Sequence, residues 1–220
     1  MYAMILAAGK GERMRPLSQD TPKPLLQAGG KPLLQYHIEA LAAAAITRIV
    51  INTGRLGKKI ETCFGSGDRF GVELCYSHEG DEPLGTGGGI QRALPWLGQL
   101  PFILVNGDVW TDFDYARLPA RIPSMAHLIM VNNPGHNPDG DFALFEGKID
   151  LQKGFLLTYS GIGLYKPELF VAAEGQLFSL VPLLKQAIHQ GKVSGQHYNG
   201  QWFDMGTPER LDELNQLLNN

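Results

Sequence analysis

The chain has 220 residues, 44% of them hydrophobic and 19% charged, with a formal net charge of −3. That length suits one domain with an apolar fraction able to fill a core. The balance excludes a disordered chain and a nucleic-acid binder driven by bulk positive charge, and no apolar run is long enough to span a bilayer.

Taken in chain order, the apolar start has no cationic segment before it, so it reads as an opening strand over 3–7 rather than a leader peptide. A glycine- and proline-rich stretch follows. Apolar residues at helical spacing then predict a helix over 32–45, with Pro32 in its first turn. Strands are predicted over 48–52, 72–76, 102–105 and 125–132. Helices are predicted over 56–64, ended by Gly65, and over 88–97. Beyond Asn133 turn residues separate short strand-like pieces, and helices return over 178–189 and 208–218. This alternation implies an α/β fold with a mainly parallel sheet covered on both faces. Cys63 and Cys75 have no metal-ligand spacing, and reduced thiols in a cytoplasmic protein are expected. The six histidines show no paired metal spacing and read as surface or packing residues.

The opening strand enters Ala8-Gly9-Lys10-Gly11-Glu12-Arg13. Glycines let backbone N–H groups approach phosphate oxygens closely. No Gly-Lys-Ser/Thr follows, so this is not a Walker A loop, and Met14 stands where a dinucleotide fingerprint needs its third glycine. Arg13, Arg15 and Lys23 flank the loop, with Pro22 and Pro24 stiffening the return. Cations and bare amides gathered in this way suit a polyphosphate.

The stretches "LAAGKGERMRPL" and "PKPL", continued by "PLGTGGGI", "VNGD", "YSGIGLY" and "WFDMGTPERL", resemble the sugar-1-phosphate nucleotidyltransferases over nearly the whole chain. The resemblance implies a Rossmann-like nucleotidyltransferase fold, a mixed and mostly parallel central sheet flanked by helices. It implies one domain over 1–220, with a nucleotide-binding part over about 1–110 and a sugar-binding part over about 111–220. A nucleoside triphosphate would lie over Ala8, Gly9, Lys10, Gly11 and Glu12. Arg13 would touch the leaving phosphates and Lys23 the phosphate being transferred. Gly85 and Gly87 would face the nucleotide. Asn106, Asp141 and Gly161 are the candidates on the sugar side. Asp108 and Asp204 would hold a magnesium ion, which takes hard oxygen ligands and often one or two carboxylates plus phosphates. Read from the residues alone, Asp204 could equally precede a helix capped by Thr207. Asp112 and Asp114 read as turn and helix-start residues.

The reaction class needs no strong base, because a sugar phosphate oxygen is already anionic; the protein positions two anions and offsets their repulsion. The region before "PLGTGGGI" reads "SHEGDE", without the glutamine common in pyrimidine-using relatives. The segment before "YSGIGLY" is short and lacks a Glu-Lys-Pro triplet, which suits an open pocket and a bulky sugar bearing a lactyl ether. The overall pattern most resembles the UTP-using members, which implies UTP and such a sugar 1-phosphate as substrates of a monomer or small homo-oligomer. Mannose-1-phosphate guanylyl transfer and glucose-1-phosphate thymidylyl transfer are the competing specificities. A non-catalytic nucleotide-sugar sensor and a cytidylyltransferase for a small alcohol phosphate are the competing classes.

Overall fold

The computed structural model describes residues 1–171 and 177–219. In chain order the elements are β1 (Tyr2–Ala7), β2 (Gln27–Ala28), β3 (Lys31–Pro32), α1 (Leu33–Ala43), β4 (Arg48–Thr53), α2 (Gly57–Phe64), β5 (Glu73–His78), α3 (Gly85–Leu97), β6 (Phe102–Asn106), β7 (Val109–Thr111), β8 (Ala126–Val131), β9 (Phe142–Phe145), β10 (Lys148–Asp150), β11 (Phe155–Tyr165), α4 (Glu168–Val171), α5 (Leu180–His189), β12 (Val193–Tyr198), β13 (Trp202–Asp204) and α6 (Pro208–Leu218). Among the described residues no helix is long and apolar enough to cross a membrane.

The main sheet runs β5-β4-β1-β6-β11-β8-β12-β10-β9. Its first part is parallel, β4 and β6 flanking β1 and β5 lying outside β4. The long strand β11 pairs antiparallel with β6, β8 and β9, while β12 runs parallel to β8. The sheet is therefore mixed, with its parallel character concentrated in the first half.

Side chains alternate across each strand and so build two cores. Ala3, Ile5 and Ala7 join Ile49 and Ile51 beneath Leu34, Ile38 and Leu41 of α1. Met4, Val50, Phe102 and Leu104 point the other way, to Ile90 and Ala93 of α3 and Leu180 and Leu184 of α5. A smaller core of Met14, Leu33, Trp110, Met205 and Leu214 ties the glycine-loop segment to α6.

Two differences from the sequence reading have physical causes. The helix α3 starts at Gly85, three residues earlier than expected, despite the poor helix propensity of its glycines. Its first amides find a partner elsewhere in the chain: Gly87 and Gly88 donate to the Phe178 carbonyl at 3.0 and 3.2 Å. The strand β12 was not expected, because "VSGQHY" carries too few apolar residues to announce itself; its place is set by pairing with the buried β8.

Candidate active site

The strand β1 ends in the glycine loop. Gly11 has a left-handed backbone, φ 65°, and its carbonyl accepts a hydrogen bond from the buried Ser18 hydroxyl at 2.6 Å. That bond folds the loop back on itself before Pro22 and Pro24 bracket Lys23. A cavity of about 460 Å³ opens over the loop, lined by Gly9, Lys10, Gly11, Glu12, Arg13 and Lys23, with Asn106 and Asp108 at its far side. Ala8 lines a neighbouring cavity of about 480 Å³ instead, together with Arg15 and Arg55. An exposed ion pair, Lys10 to Glu82 at 2.8 Å, crosses from the loop to the segment before α3.

On the other side of Arg13 lies a third cavity, about 340 Å³ in volume. Arg13, Asn106, Asp108, Asp141 and Asp204 all reach it. Arg13, Asn106 and Asp108 line this cavity as well as the loop cavity, so the two are continuous at those residues. Arg13 is exposed and has no ion-pair partner among the described residues. A free cation at such a junction attracts anions from both sides.

Asp108 follows β6 through Gly107, whose N–H donates to the Leu6 carbonyl at 2.9 Å. A side chain at Gly107 would stand 2.6 Å from that same oxygen, so only glycine lets the chain pass so close to β1. Asp108 then accepts from the buried Lys23 ammonium at 2.7 Å. The strands β7 and β13 bring Asp204 alongside: it pairs in register with Val109, and Met205 N–H donates to the Asp108 carbonyl at 2.9 Å. Arg210 donates to Asp204 Oδ2 at 2.8 Å and His136 Nε2 lies 3.3 Å from the same oxygen. Thr207 occupies the N-cap of α6, without a side-chain capping bond.

The two carboxylates fit a magnesium ion. Asp108 stands in the turn just before β7 and Asp204 ends the neighbouring β13; both reach one cavity, and Oδ1 of each is without a hydrogen bond among the described residues. Among those residues no group of three or more His, Cys, Asp or Glu forms a ready-made metal cage. Phosphate oxygens and water would have to complete the shell, which is how magnesium commonly binds.

Other predicted residues lie where expected or depart for steric reasons. Asp141 reaches the third cavity, its carboxylate accepting from Tyr159 N–H at 2.8 Å. Gly85 and Gly87 do not line the loop cavity. A side chain at Gly85 would meet the Phe178 carbonyl at 2.6 Å, and one at Gly87 the Phe178 ring at 2.3 Å. Both glycines make room for Phe178, and Thr86 between them lines the loop cavity. Gly161, φ 78°, clears Asn106 rather than a ligand, since its side chain would fall 2.5 Å from Asn106 Nδ2. It is thus a support for Asn106. His136 corrects the reading of the histidines as surface or packing residues, because it lines the third cavity beside Asp204. Trp202 and Tyr159 also line that cavity, from separate strands. Asp114 caps a helical turn by accepting from Ala116 N–H at 2.9 Å, and Asp112 holds Gln201 N–H at 2.7 Å, as turn residues do.

Beneath the site His37 is buried. Its Nε2–H donates to the Val109 carbonyl at 2.8 Å, which leaves Nδ1 to accept from the Tyr115 hydroxyl at 2.9 Å. Burial pushes its pKa down to about 4, and burial also raises that of Tyr115. A neutral imidazole therefore ties α1 to the strand that follows Asp108.

A family model described as nucleotidyl transferase matches residues 2–140. The chain belongs to the nucleotidyl transferase family. It is 48% identical to the N-acetylmuramate alpha-1-phosphate uridylyltransferase of Neisseria meningitidis serogroup B, an alignment covering 99% of this chain and 98% of that protein. It is 32% identical to the protein of the same name from Caulobacter vibrioides, over 94% of this chain and 92% of that one. The solved structure of HddC from Yersinia pseudotuberculosis complexed with GMP-PN superposes with a TM-score of 0.81 at 24% identity, over 98% of each chain. At that identity the likeness shows the shared α/β fold alone.

Proposed function

We propose that this enzyme transfers a uridylyl group from UTP to N-acetylmuramate α-1-phosphate, giving UDP-N-acetylmuramate and pyrophosphate, with magnesium as its cofactor and a place in cell-wall sugar recycling. The observation that carries the reading is the 48% identity extending over both chains almost end to end, sugar side included.

The geometry supports the reaction class. An anionic oxygen of the sugar 1-phosphate attacks the α-phosphorus of the triphosphate in line. One P–O bond forms, the bond to the bridging oxygen breaks, and pyrophosphate leaves with the electron pair. Arg13, which lines both cavities, would touch the triphosphate and the sugar phosphate together. Lys23 places a buried positive charge at the same rim and, paired with Asp108, is held in one rotamer. Asp108 and Asp204 would hold magnesium, which supplies neutralisation of phosphate charge when bound. Asp141 and Asn106 are offered to sugar hydroxyls.

The test is pyrophosphate release measured across UTP, dTTP, GTP and CTP, each with N-acetylmuramate, mannose and glucose 1-phosphates, with and without magnesium. The expected result is turnover with UTP and the muramate substrate. Preference for GTP and mannose 1-phosphate would overturn the specificity. Nucleotide binding without turnover for any pair would overturn the enzyme reading.

A further inference from the structure

The glycine loop and the start of α3 face each other across the nucleotide-side cavity, and one buried polar chain joins their roots. Ala7 N–H, at the end of β1, donates to Asn52 Oδ1 at 2.7 Å. Asn52 Nδ2 donates to Glu79 Oε1 at 2.6 Å. Leu84 N–H, at the N-cap of α3, donates to Glu79 Oε2 at 2.7 Å. Glu79 is itself anchored, its N–H bonded to the Thr53 carbonyl at 2.9 Å. Asn52 and Glu79 are 3% and 9% exposed.

Among the described residues Glu79 has no ion pair, so its charge is not there to meet a cation. A buried, unpaired carboxylate is costly unless its oxygens are hydrogen-bonded. Here they are needed as acceptors. Asn52 must turn its oxygen to Ala7 N–H, which forces its NH₂ toward residue 79. Leu84 also presents a donor. Residue 79 therefore has to accept twice, and among uncharged or charged side chains of this length only a carboxylate accepts on both atoms. The neighbouring helix leaves space for it: a side chain at Gly89 would stand 2.2 Å from Glu79 Oε1.

We propose that Asn52 and Glu79 are positioning residues for the nucleotide: they fix the distance between the loop that begins at Ala8 and the turn carrying Thr86, and so set the width of the cavity between them. This rests on the nucleotide occupying that cavity, as in the function proposed above. The sugar-side cavity uses neither Ala7 nor Leu84, so the effect is confined to one substrate.

The donor–acceptor order gives an exacting test. Glu79→Gln alone sets an NH₂ group against a donor. Asn52→Asp alone sets two carboxylates face to face. The double variant, Asn52→Asp with Glu79→Gln, restores the order: residue 52 accepts from Ala7 and from the new amide, whose oxygen accepts from Leu84. KM for UTP and for the sugar phosphate are measured for all three with the intact enzyme, alongside UTP binding by calorimetry and the melting temperature. Each single variant is expected to weaken UTP binding and raise its KM about tenfold or more, a size set by one unsatisfied buried group, with the sugar phosphate KM unchanged. The double variant is expected to return to within about threefold of the parent. A double variant as defective as the singles would overturn the proposal, because a carboxylate that reads the base directly is not rescued by restoring the donor–acceptor order, and a lowered melting temperature with unchanged UTP binding would mark a role in stability alone. Unchanged UTP binding in Glu79→Gln would overturn it too. If the single variants do not fold, the double variant decides on its own by the same threshold. The calorimetric arm separates this outcome from failure of the substrate assignment, since it needs UTP alone.

Discussion

The loop cavity takes most of its lining from one short run of chain between Gly9 and Lys23, closed on itself by the Ser18–Gly11 bond, with Thr86, Asn106 and Asp108 added from later in the chain. The sugar side is assembled from Asn106 and Asp108 after β6, His136 and Asp141 in a turn-rich stretch, Tyr159 on β11, and Trp202 and Asp204 on β13. The first arrangement fixes its geometry locally, so a phosphate-shaped cradle depends on few tertiary contacts. The second depends on the register of several strands, and each strand can change independently of the others. A scaffold divided in this way holds one cavity by local chain geometry and the other by strand register. Asp108, lining both cavities, is the hinge of that division.

Substitutions can break the contrast at chosen points. The largest effect is expected for Asp108→Asn, which removes the carboxylate common to both cavities: kcat falls on the order of 10³-fold. Magnesium titration of the activity checks this, and retention of normal magnesium-dependent turnover would disprove the metal role. Lys23→Ala is expected next, at about 10²-fold in kcat, by loss of a preorganised charge at the transferred phosphate. Steady-state kinetics with saturating substrates measures it.

The scaffold under Asp108 gives a pH prediction. The His37 pKa is lowered to about 4 from 6.5. The unfolded chain therefore binds a proton there that the folded one refuses. Stability from this group is complete above the unfolded value, and it is lost as pH falls from about 6.5 toward 4, to a total of about 3 kcal/mol. Urea unfolding at pH 7.5 and pH 5 should show the loss, and His37→Gln should flatten it. The smallest effect isolates the sugar side. Asp141→Asn is expected to raise the sugar phosphate KM about tenfold and leave the UTP KM unchanged. Equal changes in both would mean that the two cavities are not separable.

The same contrast explains what could be read in the sequence. Gly9, Gly11, Arg13 and Lys23 stand close together along the chain, so their residue types and spacing carry the chemistry before any fold is known. Asp108 was legible because it ends a buried apolar strand. His136 and Arg210 carried no signal, since their meaning comes only from lying beside Asp204. Gly85 and Gly87 read as backbone facing a nucleotide and Gly161 as a sugar-side residue, whereas the groups a side chain would meet there are Phe178 and Asn106. A glycine announces that something approaches, and sequence does not say what. The parallel half of the sheet was legible through the largely buried strands β1, β4 and β6. The antiparallel half, with short strands such as β9, β10 and β12, is set by pairing partners distant in sequence.

The Phe178 carbonyl takes the first free amides of α3, and β6 is flanked by β11 on its outer side. The early and late parts of the polypeptide are therefore not interchangeable modules. A fragment ending after β6 would carry every phosphate-facing cation yet lack the stopper that seats its third helix, and it would expose a raw sheet edge. Changes in the late segment therefore have to spare Phe178, because replacing that segment wholesale would unseat α3.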